Sequence, residues 1–347
     1  MPVPRHQRRL GLLSHHLAAA ASSLPQQAAN NVAMAAGRQR RTTVNAAEHV
    51  WLGPTDVHYP DYPFRTDKPP PALPQRSMEQ LLWQMKMYDV DKVMISHVVS
   101  LGMDNSYTAH CIRSHPDKFA ATGLLVGDGM LAPDDPSIPA RLEELIVEQG
   151  FSGLRLSPTY DKHIRWLDAP GTYPLWEKAQ ELGAVFNLFL APEQLEQVAA
   201  MAARYPGVKI VIDHFAMLDL SRPDSEGIDK ILALSVYPNV YIDTRLQNPS
   251  QEPTPYRDMW PNRACARRPR GWHALALAAG PATTSPLKHT YAAAVRKVYD
   301  EFGPRRLIYS NWFEYLIMAE LIPFFSEEDK DWILGKTALS VYKWAED

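Results

Sequence analysis

Eight short apolar runs, spread over most of this 347-residue chain, alternate with segments of helical period. Runs that are apolar throughout are typical of strands buried on both faces, and strict alternation of strand and helix predicts a parallel sheet with helices outside it. Eight such repeats favour closure into a barrel over an open sheet. The chain is therefore predicted to form an α/β fold, a (β/α)8 TIM barrel in a single domain. The predicted strands cover residues 51–57, 92–98, 119–125, 152–157, 184–190, 208–213, 239–243 and 306–311.

The intervening helices are recognised by their apolar faces and capping residues. In residues 77–88, Ser77 is placed to cap the first turn, and Leu81, Leu82 and Met85 share one face. The other predicted helices cover residues 104–114, 139–149, 173–182, 193–204, 226–236 and 290–301, with two more after Glu314.

Composition excludes several classes of partner. The formal net charge is −3, whereas nucleic-acid binders usually carry a clustered basic face. No apolar run reaches the length of a membrane span. Cys111 and Cys265 form neither a disulfide framework nor a closely spaced zinc motif, so a reducing compartment is expected. We therefore expect a small-molecule substrate, with no nucleic-acid or membrane partner, and the oligomeric state is left open.

Two segments are predicted to lie outside the barrel core. Residues 1–47 contain six arginines and no acidic side chain. This is typical of a transit peptide for a plastid or mitochondrion, and a disordered or mispredicted leader of a cytoplasmic protein starting at Met34 has equal weight. The barrel domain is then expected over residues 48–347. Within it, residues 262–289 are basic and of low complexity, and a solvated insert or a translated intron is favoured there over a functional lid.

Polar residues follow the apolar runs, and in a barrel of this type the active-site groups lie at the carboxyl ends of the strands. The stretch from Phe302 to Phe313 shows the pattern clearly, because a short apolar run ends abruptly in Ser310, Asn311 and Trp312. Such a cluster, assembled from distant parts of the chain, is typical of an enzyme. The strand-end residues predicted to form it are His58, His97, Arg155, Asn187, His214, Arg245 and Asn311.

Several stretches together resemble one family. Their order and spacing are similar to those of the amidohydrolase-related (amidohydrolase 2 type) metal-dependent TIM-barrel hydrolases, and closest to the lactonase-like branch. The matching stretches are residues 56–59, 103–107, 115–119, 153–156, 206–214 and 302–312. The resemblance implies a barrel hydrolase in which His58, His214 and Asn311 occupy catalytic positions.

The chain departs from the family at its most important positions. Relatives usually end the first strand in Asp-x-His-x-His, whereas here Pro60 follows His58. They usually end the eighth strand in Gly-Ser-Asp, where this chain has Asn311, and an amide neither accepts a proton at neutral pH nor holds a metal tightly. His58 and His214 remain as weak candidate ligands for one zinc or manganese ion. Because zinc sites usually take three or four protein ligands, no tightly bound metal is the favoured expectation.

The leading hypothesis is a hydrolase that opens a lactone or ester of a small carboxylated molecule. His58 or His214 would aim a water, and an imidazole or Arg155 would hold the oxyanion. Arg155 or Arg245 would bind the substrate carboxylate, with His97 and Asn187 as further substrate-binding candidates. The alternatives are an inactive or altered barrel that binds a small molecule or a protein, and a related nonoxidative decarboxylase or isomerase.

Overall fold

The computed structural model describes residues 40–52, 76–127, 130–158, 165–218, 227–245, 286–312 and 322–344. The barrel lies in a compact unit over Thr42–Asp347. Of the preceding unit, only Arg40 and Arg41 are described. In the described part of the chain, no helix combines the length and apolar character needed to cross a membrane.

Eight parallel strands form one sheet in chain order, as the alternation predicted. Backbone hydrogen bonding brings the first and last strands together, because Ala46 N donates to Tyr309 O at 3.1 Å. The prediction of a (β/α)8 barrel is thus confirmed. The strands are β1 (Val44–Glu48), β2 (Lys92–Ser96), β3 (Phe119–Gly123), β4 (Gly153–Leu156), β5 (Val185–Leu188), β6 (Lys209–Ile212), β7 (Val240–Asp243) and β8 (Leu307–Ile308).

The helices pack outside the sheet, where a large apolar cluster joins them to the outward side chains of the strands. Ser77 caps the first helix as predicted, since it accepts from Gln80 N at 3.4 Å while the Gln80 side chain accepts from Ser77 N at 2.8 Å. The helices are α1 (Met78–Tyr88), α2 (Ser106–Ser114), α3 (Ile138–Val147), α4 (Tyr173–Leu182), α5 (Leu195–Arg204), α6 (Ile228–Leu232), α7 (Pro286–Phe302), α8 (Glu327–Asp331) and α9 (Thr337–Val341).

Shorter helical turns connect several of these elements. A π-helical turn, Trp332–Lys336, joins α8 to α9. The 3-10 turns are Val99–Leu101, Pro170–Thr172, Pro192–Gln194, Ala233–Val236 and Pro304–Arg306. The turn Asp213–Met217, directly after β6, has positive φ from His214 onwards.

The position predicted for the first strand is wrong. The strand that pairs with β2 is Val44–Glu48, whereas Trp51 forms only an isolated antiparallel bridge with Arg76. Residues 53–57, the remainder of the predicted strand, lie outside the described residues. The sequence Val-Asn-Ala-Ala-Glu is weakly apolar, and its place in the sheet depends on pairing with β2 and on the contact to Tyr309.

Both predicted domain boundaries change accordingly. The leader cannot extend to residue 47, because β1 begins at Val44. The basic segment over residues 262–285 lies outside the described residues, and residues 286–289 belong to α7 and not to an insert.

Inside the barrel, an apolar layer lies near the amino ends of the strands. Its strand residues alternate with outward-facing ones, and the C-terminal segment packs against them through Ala338, Val341 and Tyr342. Since strand side chains alternate with period two, the residues two positions further along form the next inward layer. The strand residues of the apolar layer are Val44, Ala46, Met94, Ala120, Val185, Val211 and Ile308.

Gly153, at the start of β4, lies where β4 and β5 approach each other closely. A Cβ at this position would lie 1.9 Å from Val185 O on β5, and the glycine has φ +155. We expect Gly153→Ala to lower the free energy of unfolding by about 3 kcal/mol, because either β4 must move or the β4–β5 pairing must open. Denaturant unfolding measures this loss.

Gly183→Ala is the matched control. Gly183 has φ +63, but no atom lies within 4 Å of the position that a Cβ would take. The control should lose only about 1 kcal/mol, from left-handed backbone strain alone. Equal losses in the two variants would show that the backbone of β5 does not obstruct a Cβ at position 153.

Candidate active site

A polar layer lies directly above the apolar layer at the carboxyl ends of the strands. It follows from the alternation: Asn187 is two residues after Val185, and Asp213 is two residues after Val211. Ser310 is likewise two residues after Ile308. All three are nearly inaccessible to solvent, as are Asp243 on β7 and Arg155 on β4. Of the predicted strand-end residues, Arg155 and Asn187 belong to this buried polar layer.

Asp213 lies at the centre of one buried group. Its Oδ1 accepts a 2.8 Å hydrogen bond from Asn187 Nδ2, and its Oδ2 lies 3.4 Å from Arg155 Nε. The Arg155 contact is an ion pair without good hydrogen-bond geometry, and Nε makes no hydrogen bond to the described residues. The Arg155 guanidinium also lies 4.8 Å from the centre of the Phe189 ring. Arg155 is thus held by charge and stacking while its donors are not all used.

Asp243, which the strand-end pattern did not predict, organises a second buried group. Its Oδ1 accepts from Ser310 Oγ at 2.5 Å and from Arg245 N at 3.0 Å, and its Oδ2 lies 3.1 Å from His214 Nδ1. Burial would raise the pKa of the Asp243 carboxyl, but His214, Arg245 and Ser310 together outweigh it and lower that pKa. Asp243 is therefore a buried carboxylate that remains ionised.

His214 lies between Asp243 and Arg245. Arg245 Nη2 is 2.6 Å from His214 Nε2, and Arg245 Nε is 3.0 Å from His214 Nδ1. A neutral imidazole that donates from Nδ1 to Asp243 can accept only at Nε2, so Nη2 is the nitrogen that donates to the ring. Burial, followed by the charge of Arg245, lowers the pKa of His214 despite Asp243. The backbone turns sharply here, with φ between 53 and 55 at the four residues from His214 to Met217. This left-handed run places His214 N within 3.2 Å of Asp243 Oδ2.

His49, directly after β1, is a further polar group that the strand-end pattern did not predict. Its Nδ1 lies 2.6 Å from the Ser96 carbonyl oxygen. Because that oxygen can only accept, Nδ1 carries the proton and Nε2 keeps its lone pair. Burial is the largest cause that lowers the pKa of His49 well below its usual value, and Arg155, Arg245 and His214 lower it further. His49 is therefore a neutral base whose pKa is lowered further by the positive charge of both arginines.

A sequence signal for His49 exists in the family pattern. With β1 at Val44–Glu48, the Asp-x-His-x-His spacing falls on Asn45, Ala47 and His49, so the last histidine is present and the first is alanine. The pairing of β1 with β2 shifts register between Asn45 and Glu48. Such an irregularity redirects side chains and breaks the alternation from which strands are recognised. Asp56 and His58, which were matched to this pattern, lie outside the described residues.

His97 and Asn187 are placed at strand ends as predicted, but their polar atoms are used by the protein. His97 is fully buried, with Nδ1 2.8 Å from Thr108 Oγ1 and Nε2 3.1 Å from Gly102 O. The Asn187 amide contacts Asp213 and the Tyr342 hydroxyl. These contacts leave neither side chain free to bind a substrate as predicted, and both support neighbouring groups.

Asn311 lies at the seam between β8 and β1. Its backbone N donates to Asn45 Oδ1 at 2.7 Å, and its own Oδ1 accepts from Trp312 N at 2.6 Å. Asn45 Nδ2 in turn donates to Glu48 Oε1, whose other oxygen pairs with Arg76 at 2.5 Å. Asn311 has φ +76, which asparagine tolerates better than most residues. Its contacts join the two edges of the barrel.

The family model described as Amidohydrolase matches residues 15–344, nearly the whole chain. The chain therefore belongs to the amidohydrolase family, as the resemblance implied. This membership places it among the enzymes of the amidohydrolase superfamily.

Individual relatives are more distant. The chain is 29% identical over 104 residues to an L-fucono-1,5-lactonase of Burkholderia ambifaria, a match that covers 30% of this chain and 36% of the lactonase. A probable 2-pyrone-4,6-dicarboxylic acid hydrolase of Acinetobacter baumannii, with citric acid bound, has a TM-score of 0.61 at 14% identity, over 86% of this chain and 98% of its own. A Burkholderia multivorans amidohydrolase with bound zinc also has a TM-score of 0.61, at 15% identity, over 87% and 99%. These structures share the barrel fold.

The described residues do not fit a zinc site of the usual kind. No group of three or more His, Cys, Asp or Glu side chains among them is arranged to hold a metal ion. At His214, the Arg245 guanidinium lies against Nε2, where a divalent cation would be repelled. The first histidine of the strand-one pattern is Ala47, which has no donor atom.

The buried His97 should make stability depend on pH. Burial lowers its pKa to about 4, so between pH 6.5 and pH 4 the unfolded chain binds a proton that the folded chain does not. The free energy of unfolding should therefore fall as the pH falls through this range, by about 3 kcal/mol from this group. Urea unfolding at pH 6.5 and pH 4.5 measures the slope, which should be smaller in His97→Asn. An unchanged slope would mean that His97 is protonated in the folded protein.

Proposed function

We propose that this enzyme hydrolyses a lactone of a small carboxylated molecule at the carboxyl end of the barrel. One observation carries the proposal: the charges of two arginines, Arg155 and Arg245, act on a neutral histidine, His49. Asp213 pairs with Arg155, and Asp243 accepts from the backbone N of Arg245. A base next to fixed positive charge suits ester hydrolysis, which needs an activated water and a stabilised oxyanion. The relatives named as a lactonase and as a pyrone dicarboxylic acid hydrolase support the same class of substrate.

His49 is the proposed general base. Its Nε2 lone pair is not used by any of the residues that the structure describes, and Ser96 O holds the ring through Nδ1. The lowered pKa keeps the imidazole neutral at physiological pH, so that it accepts a proton from water whenever a substrate is bound. This role replaces the one first given to His58.

Arg155 and Arg245 are the proposed cationic groups. Arg155 is only 7% exposed, and its Nε has no well-formed hydrogen bond to the described residues, so a substrate oxygen would complete its partners. Arg245 is half-buried, its guanidinium contacts His214, and its backbone N donates to Asp243. One guanidinium can bind the substrate carboxylate through paired donors while the other polarises the lactone carbonyl.

The reaction then proceeds in two steps. His49 takes a proton from water as the water oxygen attacks the lactone carbonyl, and the oxyanion that forms is stabilised by a guanidinium. The carbonyl re-forms as the bond to the ring oxygen breaks, and His49 returns the proton to that oxygen. The product is an open-chain hydroxy acid, and no redox partner is needed. His214 and Asp243 position Arg245 throughout.

Replacement of His49 tests the base. We expect His49→Gln to lower kcat by 100-fold or more, roughly the usual contribution of a general base, without loss of folding. The parent should keep its kcat/KM as the pH falls to well below 6.5 and lose it only when His49 is protonated, because the pKa is lowered. That acid limb should be absent in the variant.

His115→Gln is a suitable control, because His115 follows α2 on the outside of the barrel. Its turnover should equal that of the parent. Full activity of His49→Gln would remove His49 from the mechanism. A parent that opens no carboxylated lactone, yet binds small acids, would favour a binding barrel instead.

Removal of metal ions tests the cationic role of the arginines. Since Arg245 lies against His214 Nε2, we expect turnover after exhaustive chelation to stay within about twofold of the untreated enzyme. Elemental analysis of the same sample gives the zinc and manganese content. Activity that is lost on chelation and restored by zinc or manganese would show that the arginines do not supply the required charge.

A further inference from the structure

Tyr342 reaches the polar layer from the opposite end of the barrel. It directly follows α9, and its ring packs in the apolar layer with Val185 and Val211. Its hydroxyl extends beyond that layer to Asn187, on the inward face of β5. The C-terminal segment thus contributes a polar atom to the underside of the candidate active site.

The Tyr342 hydroxyl lies against both polar atoms of the Asn187 amide, 3.1 Å from Nδ2 and 3.2 Å from Oδ1. The Asn187 amide group must turn its NH2 to the Asp213 carboxylate, 2.8 Å away, because a carboxylate can only accept. Asn187 Oδ1 then faces Tyr342, which donates to it at 3.2 Å. Burial, and then the charge of Asp213, raise the pKa of Tyr342 well above its ordinary value, so the hydroxyl stays a donor.

The far end of this chain of contacts is Arg155. The Asp213 carboxylate is 3.4 Å from Arg155 Nε, and that contact leaves the N–H without a good acceptor among the described residues. Asp213 thus joins the Asn187 amide on one oxygen to the Arg155 guanidinium on the other. Asn187 holds one carboxylate oxygen, and Tyr342 is the described residue that donates to Asn187 Oδ1.

We propose that Tyr342 is a positioning residue, which sets the orientation of the Arg155 guanidinium through Asn187 and Asp213. This inference rests on the proposed function in one respect, that Arg155 binds the carboxylate of the substrate. Tyr342 does not touch the substrate in this proposal, since its ring lies in the apolar layer and Asn187 lies between its hydroxyl and Asp213. Its removal should affect recognition of a negative charge more than the chemical step.

The test compares Tyr342→Phe with Tyr107→Phe. Each variant removes one buried hydroxyl and keeps the ring, and the two side chains are similarly buried, at 4% and 3% exposure. The Tyr107 hydroxyl accepts from Met78 N, outside the barrel interior and away from Arg155. A general effect of losing a buried hydrogen bond should therefore appear in both variants.

Two readouts are measured on the full chain. In Tyr342→Phe we expect KM for a carboxylated lactone to rise by about fivefold to tenfold, the effect of one hydrogen bond, with kcat and the KM for an uncharged lactone within twofold. The second readout needs no substrate: the Arg155 Nε–H resonance, identified by its absence in Arg155→Lys, should shift or broaden. Tyr107→Phe should change neither.

An unchanged Arg155 resonance in Tyr342→Phe would overturn the proposal, whatever the kinetics. Equal rises in KM for the charged and uncharged lactones would also overturn it, because a relay to Arg155 acts on the carboxylate alone. If the parent opens no lactone, the proposed function fails, and the resonance still decides whether Tyr342 orients Arg155.

Discussion

The burial of two carboxylates, Asp213 and Asp243, is the constraint on which the rest of the site depends. A carboxylate removed from water is costly unless positive charge and hydrogen-bond donors compensate it. Arg155 and Asn187 compensate Asp213, while His214, Arg245 and Ser310 compensate Asp243. The same contacts hold two guanidinium groups near His49. The requirement to satisfy buried charge therefore also creates the positive surroundings that a lactone carbonyl or carboxylate would meet.

The strand period places this polar layer above an apolar one. Val185 and Val211 face the interior at the lower level, and Asn187 and Asp213 face it two residues later. The C-terminal segment closes the lower level with apolar side chains and contributes a single hydroxyl, Tyr342, to the upper one. The barrel interior thus contains both the apolar packing that stabilises the fold and the polar groups of the proposed site. The C-terminal segment contacts both.

Much of the barrel was predictable because its strands are buried on both faces. Seven of the eight predicted strand ranges contain an observed strand, from β2 to β8, and the helix cap at Ser77 is as expected. The exception is β1, whose residues are small or polar and whose pairing with β2 is irregular. Neither apolar continuity nor alternation marks such a strand. The error displaced the whole first-strand motif and concealed His49, whereas Arg155 lies on β4, and His214 and Arg245 follow the ends of β6 and β7.

The sequence by itself determined the barrel class, the family and the positions of seven of the eight strands, because these follow from local patterns of burial and from motif order. Only the tertiary structure decided which strand-end side chains use their atoms on each other. His97 and Asn187 have the right residue types and positions, yet their polar atoms are taken by Thr108, Asp213 and Tyr342. Asn187 and Tyr342 are 155 residues apart along the chain, and a contact at that separation is set by the closed barrel, which no local pattern records.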